Sequence, residues 1–174
     1  SVAKMHVQGW LHWPEQAEVT ALCDINPSQI ARIKGEFPDA LKTAAEYTDY
    51  REMVEKGPVD IVCICSYSDK HLEHAGASLT AGKHVFTEKP VGYGLEEARR
   101  FKHLVAKYPE CLGGVAYSMR YNKAFMDMRA LLRSGVLGEI ITGEISYGHP
   151  HFGRRATARD ATGYLQQQSD IAGG

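Results

Sequence analysis

Short apolar runs alternate with amphipathic helical segments through most of this chain, and few folds accommodate that order. Val19 to Cys23 is apolar, β-branched at its start, and ends at Asp24. Asp60 to Cys65 (DIVCIC), His84 to Thr87 (HVFT) and Cys111 to Tyr117 follow in the same style. The helical segments lie between them. Ser1 to Trp13 places Val2, Met5, His6, Trp10 and Trp13 on one face and stops at Pro14. Asn26-Pro27-Ser28-Gln29 supplies an N-cap, an N1 proline and an N3 glutamine to a helix reaching about Phe37. Asp49 to Lys56 is a short helix. Ser68 to Ala81, with Ser68 as N-cap and Gly82 as C-terminal cap, and Gly94 to Lys107 are longer ones. A run as unbroken as DIVCIC suits a strand covered on both faces. Repeated in this way, the order predicts a parallel, doubly wound α/β sheet.

The texture changes after Tyr117. Asn122 caps a helix to about Arg133, and Ser134-Gly135 ends it. Glu139 to Tyr147 (EIITGEISY) then alternates, with Ile141, Gly143, Ile145 and Tyr147 on one face, as in an antiparallel strand with one wet side. The expected domains are 1–118, the α/β part, and 119–174, the start of an α+β part with a mainly antiparallel sheet. From His149 onward the chain reads as polar loop, with a short helical turn near Tyr164 to Gln168.

Composition removes several classes of partner. Among 174 residues, 20 Lys+Arg against 21 Asp+Glu leave a net charge of −1, without the positive field that drives non-specific nucleic-acid binding. No apolar run approaches the roughly 20 residues of a membrane span. Four cysteines are too few for a disulfide scaffold. Cys23, Cys63, Cys65 and Cys111 sit in apolar, strand-like contexts suited to reduced thiols, so a cytoplasmic location is expected. The chain starts at Ser1 without Met and stops at Gly173-Gly174, and it reads as cut at both ends.

In a doubly wound sheet, ligands bind at the carboxyl ends of the strands. Asp24 is an acid at such an end, placed to accept hydrogen bonds from ribose hydroxyls or to serve as an ordinary turn aspartate. A nucleotide reading needs a glycine-rich turn roughly 20 residues earlier. Ser1-Val2-Ala3 fits the last half of a G-x-G-x-x-A loop, with the N–H groups of Ser1 and Val2 at a helix N-terminus facing a pyrophosphate. Ser66 and Tyr67 line the crevice at the second strand end, and His71 reads as a solvated residue of the first helical turn. Thr87-Glu88-Lys89-Pro90 closes the third strand. There Lys89 either protonates or hydrogen-bonds a substrate oxygen or pairs with Glu88 in solvent. No metal site is expected. His149-Pro150-His151 lacks a third ligand, and Cys63 and Cys65, on one face of a strand, read as packing. Arg154, Arg155 and Arg159 belong to a charged loop able to grip an acidic substrate.

Val59 to His71 (VDIVCICSYSDKH) and Ala81 to Pro90 (AGKHVFTEKP) together resemble the Gfo/Idh/MocA family of NAD(P)-dependent oxidoreductases, which includes glucose-fructose oxidoreductase and inositol dehydrogenases. Cys23-Asp24-Ile25-Asn26, Tyr47-Thr48-Asp49-Tyr50, Tyr117 to Tyr121 and Ser134-Gly135-Val136-Leu137-Gly138 fit in order and spacing, so the resemblance covers essentially the whole chain. It implies a Rossmann-like sheet lacking its first strand, then the opening of a substrate-binding and oligomerisation domain. It places Asp24 and Ile25 at the adenosine ribose, favouring NAD over NADP. Ser1 and Val2 fall at the pyrophosphate, and Ser66, Tyr67 and His71 on the nicotinamide side. Glu88 and Lys89 fall beside nicotinamide and substrate, with Lys89 as the catalytic residue, and Arg120 near the same site. It also implies a cis Lys89-Pro90 bond. The implied activity of the full-length parent is hydride transfer between the nicotinamide cofactor and a secondary alcohol or carbonyl of a sugar or cyclitol. A homo-oligomer through the Glu139 to Tyr147 sheet is expected. The G-x-G turn and a downstream D-x-x-x-H segment are absent from these residues, so this stretch alone is expected to be inactive. Two alternatives stand beside this reading: a dinucleotide-binding sensor without turnover, and an NAD-dependent glycosidase.

Overall fold

A computed structural model describes residues 2–146. The elements run α1 (Val2–Leu11), β1 (Ala21–Cys23), α2 (Pro27–Glu36), β2 (Ala45–Tyr47), α3 (Tyr50–Lys56), β3 (Ile61–Ile64), α4 (His71–Thr80), β4 (His84–Thr87), α5 (Leu95–Ala106), β5 (Gly113–Val115) and α6 (Lys123–Arg133). Short 3-10 turns at Ser68–Lys70 and Ser118–Tyr121 precede α4 and α6. The chain divides into two compact units, Ser1–Tyr117 and Ser118–Gly174. Among the described residues no helix is long and apolar enough to cross a membrane.

In the first unit every strand pairing is parallel. β1 pairs with β2, with Ala21 opposite Ala45 and Cys23 opposite Tyr47. β3, β4 and β5 form a three-stranded sheet in that order, with Cys63 opposite Phe86 and Phe86 opposite Gly114. Among the described residues no strand pairing joins the two sheets. β2 was not legible. Ala45-Glu46-Tyr47 is three residues long with a charge at its centre, which the Lys34 ammonium holds at 2.7 Å.

The helices start and stop where local chemistry dictates. Asn26 Oδ1 accepts from Ser28 N at 3.1 Å, with Pro27 at N1, and Asp49 Oδ1 accepts from Arg51 N at 2.8 Å to open α3. Gly82, at φ +72°, ends α4 in a left-handed conformation that a side chain would strain. The expected N-cap at Ser68 is not made. The segment opens as a 3-10 turn after Tyr67 with no side-chain cap bond, and Ser66 makes the contact to α4 instead.

Two apolar clusters hold this unit. Val62, Ile64 and Val85 from β3 and β4 meet Ala75, Leu79 and Phe101 of α4 and α5, with Met53 and Val54 of α3. Val7 of α1 joins Ile33 of α2 and Leu41, backed by Leu22 and Val19. Leu41, Ala75 and Leu79 are at most 1 % exposed. At about 25 cal/mol per Å² of apolar area, full burial of each leucine stabilises by roughly 1.5–3 kcal/mol.

In the second unit Asn122 Oδ1 accepts from Ala124 N at 3.0 Å and starts α6. The expected strand over Glu139 to Tyr147 is corrected for residues 139–146, which form neither helix nor strand. A strand is made by its ladder, and no described residue offers this segment a partner, so Ile141 stays 94 % exposed despite the alternating pattern. Ser1, Tyr147, His149 to His151, the three loop arginines and the turn near Tyr164 lie outside the described residues.

Candidate functional site

Three strand ends and one helix N-terminus build the site. Asp24 follows β1 directly, and its Oδ1 accepts from Asn26 N at 2.8 Å, which shapes the turn into α2. The other carboxylate oxygen has no partner among the described residues. Asp24, with Val2 and Ala3 at the start of α1, Gln29 and Arg32 of α2, and Cys65 after β3, lines a cavity of about 160 Å³. A carboxylate with a free oxygen therefore stands beside the first backbone N–H groups of a helix. One accepts hydroxyl hydrogen bonds and the other attracts an anion. This donor and acceptor set fits the ribose and pyrophosphate of a dinucleotide. Ile25, next to Asp24, is 90 % exposed.

The loop after β3 is tied to the loop after β4 by one buried ring. His71, expected in solvent, is 1 % exposed. Its Nδ1 reaches the Pro90 carbonyl at 2.8 Å and its Nε2 the Ser66 carbonyl at 3.0 Å. Both partners are carbonyl oxygens, so one ring ties the two loops together. His71 is buried because α4 begins against the Lys89-Pro90 turn, so its first residue faces that turn instead of water. Ser66 Oγ in turn bonds His74 Nδ1 at 3.0 Å, and burial pushes His74 below its ordinary value. Tyr67 is 48 % exposed beside them.

At the end of β4 the two adjacent charges do not pair. Glu88 turns inward, with its Oε1 2.8 Å from His6 Nε2 of α1 and its Oε2 accepting from Lys89 N at 3.2 Å. Lys89 is exposed, with no ion pair among the described residues. It is a free cation on a turn whose backbone is held from both sides. Arg120 lies in the 3-10 turn of the second unit, also exposed.

The reading of Cys63 and Cys65 as packing is corrected. Their sulfurs stand 3.8 Å apart and meet His6, whose ring also packs edge-on against Phe86 at 5.6 Å. Hydrogen bonding from Cys65 and from His6 holds the Cys63 thiol down at about 5, against the opposing effect of burial. The bond to Cys63 and burial push Cys65 up. His6 is pushed up to about 9 by its bonds to Cys63 first and Glu88 second. Two sulfurs and an imidazole ring thus share this corner. The sequence signal was present: Cys-x-Cys on one strand and a histidine on the face of α1 that points at the sheet.

A model of the Gfo/Idh/MocA oxidoreductase family, described as an NAD-binding Rossmann fold, matches residues 1–115. An inositol 2-dehydrogenase of Pseudomonas fluorescens is 27 % identical over 154 residues, covering 88 % of this chain and 45 % of the relative. The structure of scyllo-inositol dehydrogenase from Lactobacillus casei, with bound NAD(H) and scyllo-inositol, superposes with a TM-score of 0.64. It is 27 % identical, over 71 % of this chain and 35 % of that one. An oxidoreductase domain protein from Kribbella flavida gives a TM-score of 0.70 at 28 % identity, over 78 % of this chain and 37 % of that one. The chain therefore spans less than half the length of these relatives.

Proposed function

This chain belongs to the Gfo/Idh/MocA family of oxidoreductases with an NAD-binding Rossmann fold, and from that premise we propose that the full-length protein is an NAD-dependent dehydrogenase acting on a secondary alcohol of a sugar or cyclitol. The observation that carries the proposal is Asp24 beside the N-terminus of α1, in the cavity at the strand ends. When bound there, NAD supplies a hydride acceptor. Asp24 accepts from the ribose hydroxyls, and its charge disfavours a 2′-phosphate. The first N–H groups of α1, from Val2 on, face the pyrophosphate. Ser66 and Tyr67 stand on the nicotinamide side, where His71 acts from behind by fixing Ser66 and Pro90 relative to each other. Lys89, an exposed cation on that fixed turn, donates to the substrate oxygen, orienting it and favouring charge that develops there. Residues from 119 onward, Arg120 among them, are assigned to the substrate-binding domain.

The inositol dehydrogenases among the relatives favour a cyclitol as substrate class. The test is to incubate the full-length protein with NAD and a panel of inositols and aldoses, following the absorbance of reduced cofactor. Turnover with at least one cyclitol is expected. Cofactor binding without turnover on any of them would leave a sensor, and release of sugar from a glycoside without net reduction would indicate a glycosidase.

A further inference from the structure

The polar corner beneath α1 goes beyond what hydride transfer requires. Cys63 of β3 and Cys65, just after its end, lie two residues apart with their sulfurs together, and His6 reaches them from α1, 57 positions before Cys63. One donor atom from each residue falls within 4.8 Å of the others. The sulfurs are 3.8 Å apart. Two thiolates bound at about 2.3 Å to one tetrahedral Zn²⁺ stand about 3.8 Å from each other, so the pair already has the spacing that a shared ion imposes. All three residues are partly buried, and the strand, the helix and the Phe86 ring against His6 keep the donors from spreading.

From this juxtaposition we propose that His6, Cys63 and Cys65 form a binding site for a thiolate- and imidazole-preferring transition-metal ion, with Zn²⁺ as the expected occupant. The donor set decides the class of ion. Two sulfurs and a nitrogen suit Zn²⁺ and disfavour Mg²⁺ or Ca²⁺, which take oxygen. Glu88 holds His6 Nε2 at 2.8 Å, which leaves Nδ1 as the ring nitrogen for the ion, with the carboxylate behind it as in other metal-bound histidines. Three protein donors leave one position of a tetrahedron open. Cys65 also borders the cavity that Asp24 lines, so the ion would sit at the wall of the cofactor crevice.

The experiment uses the full-length protein, reduced and stripped with a chelator, then titrated with Co²⁺ as a spectroscopic stand-in for Zn²⁺. One ion per chain is expected, with a thiolate-to-cobalt charge-transfer band and the strong visible bands of tetrahedral cobalt, both bleached by Zn²⁺. The Cys63→Ser, Cys65→Ser double variant should retain no ion, while Cys111→Ala should retain the full complement. Glu88→Gln should weaken Co²⁺ binding roughly 10–100-fold. The wild-type spectrum reports the sulfurs directly, so the result stands even if the double variant fails to fold. No retained ion, a cobalt spectrum without thiolate charge transfer, or unchanged stoichiometry in the folded double variant would each overturn the site. NAD titration of the same samples reads the dehydrogenase proposal separately, because neither result requires the other.

Discussion

Strands β3 and β4 each present two faces, and the faces differ in kind although they come from alternating residues of the same short segments. Val62, Ile64 and Val85 point toward α4 and α5, where they meet Ala75, Leu79 and Phe101 in a dry cluster. Cys63, Cys65, Phe86 and Glu88 meet His6 and Trp10 of α1. The first face stabilises the unit by removing apolar area from water. The second holds charge, sulfur and hydrogen bonds at the strand ends where a cofactor would lie. One strand therefore serves stability and chemistry together, because the pleat sends successive side chains to opposite sides.

If this division is right, substitutions on the two faces should have separable consequences. The largest effect on stability is expected from Leu79→Ala on the dry face, which should cost about 2–5 kcal/mol in urea unfolding and leave NAD affinity of the folded protein within about twofold. His71→Ala comes next. It strips the carbonyls of Ser66 and Pro90 of a shared donor, so a loss of about 2–3 kcal/mol is expected. Unlike Leu79→Ala, it should also raise the dissociation constant for NAD severalfold, because the two crevice loops lose their common anchor.

His6→Gln tests the chemical face through pH. The ring titrates near 6.5 in the unfolded chain and near 9 in the fold, so the folded protein holds the proton more tightly. The stability His6 contributes is fully present below about pH 6.5 and is lost as pH rises through about 9. In metal-free protein, wild type should exceed His6→Gln by on the order of 2 kcal/mol at about pH 6 and by much less at about pH 10. A gap that stays constant across that range would assign His6 to packing alone. The smallest effect is on affinity. Asp24→Ala should weaken NAD binding about tenfold, the scale of one charge-assisted hydrogen bond, and NADP binding less. An unchanged NAD to NADP ratio in calorimetric titrations would remove Asp24 from the ribose.

The dry face was legible in the sequence and the chemical face only in part. DIVCIC and HVFT announce buried strands by composition, and Asn26-Pro27 and Gly82 mark helix ends by local chemistry, so β3, β4, α2 and α4 fall close to their expected places. Asp24, Ser66, Glu88 and Lys89 were singled out because strand ends are where a doubly wound sheet binds its ligand, and of these Asp24 lines the cavity. What escaped depends on partners distant in sequence. His71 looks solvated until the Lys89-Pro90 turn packs on it, and Cys63 and Cys65 look like packing until His6 arrives from α1. β2 needs β1 beside it to be a strand at all, and for residues 139–146 the alternating pattern was present while no described partner was.

The central claim is that hydride chemistry takes place at the strand ends, with Lys89 acting on the substrate oxygen. The most direct test follows transfer of deuterium from a carbon-labelled inositol to NAD by the full-length protein, for wild type and Lys89→Ala. Label recovered in the reduced cofactor is predicted for wild type. In Lys89→Ala the rate should fall roughly 10²–10³-fold, as for loss of one donor to charge developing on oxygen, with NAD affinity within about twofold of wild type. Absence of label transfer from any cyclitol, or a Lys89→Ala rate equal to wild type, would contradict it.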